Sequence, residues 1–591
     1  MPSTLPSYPF GARIGVMILR LLSILIISSI CVKAQESPLA AAPQSFWQGT
    51  DALNQAFRAG FSLLQDNILS KRAEGIPLEN NQPKALNLVI GQPQCYVAQK
   101  GTFGFDKDSR KPLYISANAC GIPHYVGKEK EAPLPPNLIL SVSNSSAVGC
   151  PLPSAQQANV TRVPFEGGAA MLQLNVTDDV YITISADDPG TDFQGVYAYR
   201  VAASTDMFYY SYEKPRPDEL KELLWLDSDS SSSLLVSRNL TTDADHSAAI
   251  LKEQPPYAVY VNPGNDSHIW GMRYSSCGLD LNAKIPVTLE RSKEANSTVH
   301  TDLTTRGPGG FPKQEFYVNG LNASANYTGF MVKLLPNSGK RDGQPGGGGT
   351  VFNPTSFSTT SSANCKMAVG LEFCDQTQYA VPGNAFKFPN TTALIKEYDN
   401  YAKEMYSNFE KVMMQIQCET TSTEKYSLAR NCDDCRAAYK KWLCTVSMPR
   451  CEDFTSTNPR AIIRNAGQPF PDRTVDPAIV KLGQDNPAFN ASRNSFIDKV
   501  IQPGPYKEIL PCAEICYEVV QSCPAKIGFV CPHPHMIAFD SSYGKRDPAI
   551  PLACNYPGEP RTPISGGMVL RSWSALLISA YVIIVGYYMV Y

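Results

Sequence analysis

The chain has 591 residues, 43% of them hydrophobic and only 18% charged, with a formal net charge of −2 at neutral pH. That length can bury more than one core, so two to four domains are expected, and the near-zero charge argues against nucleic acid or a strongly charged polymer as partner. Proline (47) and glycine (40) are plentiful, which suits loop-rich β structure outside the cell better than a helical cytosolic enzyme.

Residues 1–34 read as a secretory signal. Arg13 and Arg20 are positive, Leu21 to Cys31 is a short apolar core, and Val32-Lys33-Ala34 places small residues for cleavage after Ala34. In the 35–85 region, Phe46, Leu53, Phe57, Phe61, Leu64 and Ile68 recur at helical intervals, predicting one amphipathic helix that ends before Gly75 and Pro77.

From residue 86 to 335 short alternating runs predict strands. "ALNLVIG", "NLILSVS", "AAMLQLNVTDDVYITISAD" and "GVYAYRVAAS" form one group, and "YAVYVN", "HIWGMRYSS", "IPVTLERS", "QEFYVNGL" and "YTGFMVKLL" a second. They predict two β-sandwich-like units, 86–210 and 211–335, with "KPRPDELKELLWLDSDSSSS" between them as a short helix and polar loop. The acidic stretches Ala186–Asp192 and Asp227–Ser233 read as solvated turns in preference to calcium loops. Residues 336–364 read as a Gly/Ser-rich linker whose composition cannot offset the entropy of ordering. The 365–564 region then turns helical and cysteine-rich: Ile395, Tyr398, Ala402, Met405, Phe409, Met413 and Ile416 mark one helical face.

The chain ends in Ser565-Gly566-Gly567, a semi-polar spacer, and an apolar run from Ala575 to Tyr591. That order over 565–591 favours a lipid-anchor signal with attachment at Ser565. The rival is a membrane helix, but seventeen residues span about 26 Å at about 1.5 Å each, short of a hydrocarbon core about 30 Å thick. Sequons at Asn144, Asn159, Asn175, Asn239, Asn265, Asn296, Asn322, Asn326, Asn390 and Asn490 fit a glycosylated lumenal surface.

Of seventeen cysteines, Cys31 leaves with the signal. Cys95, Cys120, Cys150, Cys277, Cys365 and Cys374 precede residue 380, and ten follow: Cys418, Cys432, Cys435, Cys444, Cys451, Cys512, Cys516, Cys523, Cys531 and Cys554. Both subsets are even, and an oxidising compartment pairs thiols before they meet zinc, so disulfides displace a zinc site at Cys432, Cys435, Cys531, His533 and His535. In "CDDC" the acidic pair would raise thiol pKa values, which argues against a redox motif. No catalytic signature stands out: there are six histidines, no Gly-X-Ser-X-Gly and no His-Glu-X-X-His. No metal or cofactor is expected.

Eight residues separate Cys435 from Cys444, six separate Cys444 from Cys451, three separate Cys512 from Cys516, and six separate Cys516 from Cys523. With "WLC", "PRC" and "PCAEIC" around them, these intervals resemble the helical frizzled-type cysteine-rich domain over 418–554. The resemblance implies the pairs Cys435–Cys523, Cys432–Cys444 and Cys418–Cys451, with Cys512, Cys516, Cys531 and Cys554 pairing among themselves. The chain departs from that pattern in the roughly sixty residues between Cys451 and Cys512 and in an early Cys531. This 452–511 insertion is expected to touch a partner. The basic residues Arg436, Lys440, Lys441 and Arg450 read as solvated faces.

The whole layout of signal, glycosylated β-rich ectodomain, cysteine-rich region from Cys365 onward and apolar tail resembles the fungal stretch-activated calcium-channel subunit, the Mid family. The resemblance implies a multidomain α+β protein on the outer face of the plasma membrane, delivered through the endoplasmic reticulum. It also implies a non-catalytic auxiliary role in stress- or stretch-activated calcium influx. The partner would be a large four-repeat pore protein built like a voltage-gated calcium channel. Two other readings stay open. One is a lipid-anchored wall enzyme that remodels glucan with paired carboxylates. The other is a surface receptor using an apolar groove lined by Tyr439, Trp442 and Met448.

Overall fold

The computed structural model describes residues 75–562, apart from 90, 107–109, 130–131, 146–158, 189, 215–220, 336–341, 419–425, 428, 473 and 548. The signal, the amphipathic helix of residues 46–68, Cys150, Ser565 and the apolar tail lie outside the described residues.

Sequence alternation is converted into a stack of sheets. The first has the order Ile76–Pro77, Gln94–Ala98, Val180–Ser185, Ile139–Ser143, Thr161–Pro164, and the second Lys84–Leu88, Tyr197–Ser204, Lys111–Gly121, Ala169–Val176. Tyr96, Leu140 and Ile182 of the first share one core with Ile115, Tyr199 and Val201 of the second.

The third sheet runs Tyr210–Tyr212, Gly349–Val351, Asn326–Lys333, Tyr257–Pro263, Ile285–Val287, with Thr355–Ser358 also paired to Asn326–Lys333. The fourth runs Leu223–Ser228, Ser232–Ser237, Lys313–Asn319, Val299–Thr304. Val259, Val261 and Met331 of the third sheet meet Leu223, Leu235 and Phe316 of the fourth.

Successive side chains on a strand point to opposite faces. Ala258 and Tyr260 therefore face back toward Ala169 of the second sheet. Leu224, Leu226, Leu234 and Val236 face forward into a core shared with the cysteine-rich region. The third and fourth sheets are buried on both faces, which explains why "AVYVN" and "SSLLVS" are continuous buried runs. The Cys120–Cys277 disulfide ties the second sheet to the helix Ser276–Asn282.

Three local expectations change. "HIWGMRYSS" is not a strand: it contributes the helices Ser267–Trp270 and Ser276–Asn282, begun by the side-chain caps Asp266 and Ser275. In "KPRPDELKELLWLDSDSSSS", expected as a short helix and polar loop, residues 215–220 lie outside the described residues, and from Leu223 onward the chain is strand: Leu223–Ser228 pairs with Ser232–Ser237. Four consecutive apolar residues fit helix and doubly buried strand alike, and the tertiary core selected the strand.

The glycine-rich stretch, expected as a linker, supplies strands Gly349–Val351 and Thr355–Ser358. Its glycines serve close approach. A Cβ on Gly348 would overlap the Tyr210 ring, and one on Gly349 (φ +90°) would sit 2.9 Å from the Lys333 carbonyl oxygen.

The cysteine-rich region is built on the helices Thr391–Met413, Cys432–Ser447 and Ala513–Ser522. The first buries Leu394, Tyr398, Ala402, Phe409 and Met413 along one stripe. A hairpin of Cys365–Ala368 and Tyr379–Pro382 joins it to the fourth sheet, and a small sheet orders Arg450–Glu452, Tyr506–Ile509, Ala461–Arg464. Two strands of that small sheet come from the 452–511 insertion, so the insertion is part of the framework.

Candidate functional site, a clamped junction

Seven disulfides have both cysteines among the described residues, and Cys95 is disulfide-bonded as well. Cys435–Cys523 joins the Cys432–Ser447 helix to the residue following the Ala513–Ser522 helix, while Cys512–Cys554 and Cys516–Cys531 pair among themselves. The other two frizzled-type pairs are replaced. Cys418 bonds Cys432, Cys444 bonds Cys374, and Cys451 bonds Cys365.

The physical reason is the hairpin. It lays Cys365 and Cys374 against the Cys432–Ser447 helix and the strand that follows, so the two cysteines nearest the sheets capture the partners the frizzled pattern would use locally. Asp399 on the long helix holds the Cys374 loop, accepting the backbone N–H groups of Phe373 at 2.7 Å and Cys374 at 2.8 Å. A bond closing a loop of 86 or 88 residues contributes about 4–5 kcal/mol in the chain-entropy treatment.

The acidic pair inside "CDDC" has a structural use. Asn431 accepts the backbone N–H groups of Asp433 and Asp434, and the Asp434 carboxylate reaches back to the Asn431 N–H at 2.9 Å, a capping box that starts the helix. Asp433 pairs with Arg436 at 3.0 Å.

The clamp surrounds a buried ionic network. Asp227 is fully buried on the fourth sheet, and its two carboxylate oxygens accept from Arg450 Nε at 2.8 Å and Arg561 Nε at 2.8 Å. Arg450 is 1% exposed; it also donates to the carbonyls of Leu226 at 2.5 Å and Glu559 at 2.9 Å. Arg561 also pairs with Glu452 at 2.7 Å and lies over the Trp225 ring. Its backbone N–H donates to the Trp225 carbonyl at 2.7 Å, and Thr562 Oγ1 accepts from Trp225 N at 2.9 Å. Burial acts to raise the Asp227 carboxyl, but Arg450 and Arg561 outweigh it and hold the group below the usual carboxylate range.

These facts correct two expectations. Arg450 is not on a solvated face. Asp227 and Asp229 are not in a solvated turn, since Asp229 is also buried and accepts the backbone N–H groups of Ser231, Ser232 and Met367. The other basic residues of the stretch are each paired: Lys440 with Asp375 at 3.0 Å, Lys441 with Glu518 at 3.0 Å, and Arg436 with Glu410 at 3.3 Å. The Asp187, Asp188 and Asp192 side chains are exposed.

A second buried carboxylate, Glu508, takes Arg464 at 2.8 Å and Arg493 at 2.9 Å within the small sheet. The sequence placed Asp227 in a solvated turn and gave no role to Glu452, Glu508, Arg464, Arg493 and Arg561. The available signal was a lone acid inside an apolar strand, "LLWLD" and "YKEIL", because such a charge needs a buried partner.

An apolar groove of about 1320 Å³ lies on the cysteine-rich region, lined by Phe409, Tyr439, Trp442 and Phe529 among others. Phe409 and Tyr439 stack with centroids 3.8 Å apart, and Trp442 Nε1 donates to Tyr543 Oη at 2.9 Å. Met448 is not in this groove; it is fully buried and its carbonyl accepts from Tyr379 Oη. No group of three or more His, Cys, Asp or Glu side chains among the described residues could hold a metal ion. No helix among them is long and apolar enough to cross a membrane. All ten sequon asparagines are exposed.

Fold and junction together define a disulfide-clamped, multi-sheet scaffold with the buried carboxylates Asp227 and Glu508 each paired to two arginines. The pattern of the family described as Mid1, stretch-activated Ca2+-permeable channel component, matches residues 112–560, and the chain belongs to that family. The stretch-activated cation channel yam8 of Schizosaccharomyces pombe is 32% identical over 438 residues, covering 71% of this chain and 79% of its own length. The stretch-activated cation channel MID1 of Saccharomyces cerevisiae is 32% identical over 326 residues, 52% of this chain and 54% of its own. Its namesake in Cryptococcus neoformans is 24% identical over 205 residues, 31% of this chain and 30% of its own.

Proposed function

We propose that this chain is a non-catalytic extracellular auxiliary subunit of a fungal plasma-membrane calcium channel, needed for stress- or stretch-activated calcium influx. The observation that carries the reading is the family match over residues 112–560, which takes in the third and fourth sheets, the later strands of the first two, the disulfide clamp and the Asp227–Arg450 pair. In this reading the stacked sheets and clamp form a rigid body that presents a binding surface to the extracellular loops of a four-repeat pore protein. Arg561 and Thr562 pin the chain to the fourth sheet just before the region read as a lipid anchor at Ser565.

The test is purification of the full chain in mild detergent with identification of what accompanies it, alongside calcium uptake in cells lacking the gene. The expected result is a copurifying four-repeat channel and lost high-affinity uptake. Glycan turnover by the purified chain with no copurifying pore would overturn the reading.

A further inference from the structure

Of the ten sequon asparagines, Asn265, Asn322 and Asn326 line a shallow cleft beside the third sheet, whereas Asn239 lies at a partly open cavity of about 510 Å³ between the fourth sheet and the cysteine-rich region. The size falls in the range of about 300–1,000 Å³ typical of small-molecule sites. Its lining includes Leu224, Leu226 and Val236 of the fourth sheet, together with Gln376, Gln378 and Pro560. The side chains of Arg238 and Gln376 reach this space without a hydrogen-bond partner among the described residues.

The backbone on both sides of Asn239 is fixed: Arg238 N–H donates to the Glu222 carbonyl at 3.0 Å and Leu240 N–H to the Pro312 carbonyl at 2.8 Å. A group attached at Asn239, which is exposed and borders the cavity, therefore starts from a set position. Pyranose rings with acetamido groups offer C–H faces to Leu and Pro side chains, and hydroxyl and amide groups to Arg and Gln.

We propose that Asn239 carries an N-linked oligosaccharide whose innermost N-acetylglucosamine residues occupy this cavity. There they bridge the fourth sheet, the loop after Cys374 and the segment ahead of Arg561. The sugar is then an internal part of the junction, unlike those on Asn159 and Asn296, which line none of the cavities described. The inference rests on the secretory reading of the chain.

The test uses the full-length glycoprotein with high-mannose sugars, digested with endoglycosidase H before and after denaturation, with each site read by glycopeptide mass spectrometry. Asn159 and Asn296 should be trimmed to one N-acetylglucosamine in the native protein. Asn239 should keep its oligosaccharide at least tenfold longer and lose it on denaturation. Trimming of Asn239 at the rate of Asn159, or sugar at Asn159 and Asn296 with none at Asn239, overturns this inference alone. A chain bearing no sugar at any site overturns the secretory reading with it. As a second measurement, Asn239→Gln and Thr241→Ala should lower the unfolding temperature equally while Thr241→Ser leaves it unchanged. Unaltered midpoints in all three would count against the cavity as the sugar's place.

Discussion

Asp227 and Arg450 are 223 residues apart in the chain and 2.8 Å apart in space, both essentially without solvent exposure. Their pairing joins the last sheet of the stack to the first strand after the Cys432–Ser447 helix, and Arg561 closes the network from the C-terminal side. Removing one partner of a buried pair leaves an uncompensated charge. Arg450→Met is expected to lower stability by about 3–5 kcal/mol, measured by denaturant unfolding of the purified glycoprotein. Arg460→Ala, at the exposed Arg460–Asp547 pair, should cost far less, because water screens such a pair. Equal losses in the two variants would refute the role assigned to the buried network.

Disulfide mapping should recover Cys365–Cys451, Cys374–Cys444 and Cys418–Cys432 as linked peptides under non-reducing conditions. Recovery of Cys418–Cys451 and Cys432–Cys444 would restore the frizzled pattern. Cys435→Ser and Cys523→Ser are each expected to abolish surface delivery, scored by surface labelling, because the bond ties two helices in one core.

Acid should weaken the fold with a defined sign. Asp227 and Glu508 have carboxyls held low when folded: burial raises them, but Arg450 with Arg561, and Arg493 with Arg464, outweigh it. Unfolded carboxyls titrate near about 3.9 for Asp and 4.3 for Glu. The stabilisation is therefore fully present above about pH 5, and is lost as pH falls through and below those values toward the folded-state pKa. Unfolding temperature should be nearly flat from neutrality to about pH 5 and then fall. For Asp227→Asn, the fall between pH 5 and 3 should be shallower than in the parent; an unchanged slope would refute the assignment.

Gly348→Ala should destabilise by about 1–3 kcal/mol, the usual cost of overpacking, because the added Cβ meets the Tyr210 ring. Gly370→Ala meets no atom within 4 Å but sits at φ +75°, so its cost should be limited to about 1 kcal/mol of backbone strain. A thermal series of the two separates steric need from linker composition. Full tolerance of Gly348→Ala would return the glycine stretch to linker status.

Excision of 452–511 should prevent folding, because Ala461–Arg464 and Tyr506–Ile509 are two of the three strands in the small sheet. The exposed apolar side chains Val475 and Leu482 on its outer part offer the sharper test. Val475→Ser with Leu482→Ser is expected to keep the unfolding temperature and reduce copurification of the pore protein. Undiminished copurification would remove the insertion from the interface.

Much of the fold was legible because it is written at short range. The helix Thr391–Met413 shows its apolar stripe in sequence, and the alternation of "AAMLQLNV" and "GVYAYRVAAS" survives as the strands Ala169–Val176 and Tyr197–Ser204. "LLWL" and "HIWGMRYSS" misled for one reason: a short apolar run carries no period, so the core packed around it decides its conformation.

The sequence by itself determined the family, the long helix, most strands of the sheets and the cysteines available for clamping. The tertiary structure alone decided that Cys365 and Cys374 capture Cys451 and Cys444, that Arg450 is buried against Asp227, and that the glycine run leads into the paired strands Gly349–Val351 and Thr355–Ser358. Periodicity and caps are properties of neighbouring residues. The choice of a partner 70, 86 or 223 positions away depends on how the hairpin and the fourth sheet are brought together, which short-range patterns do not encode.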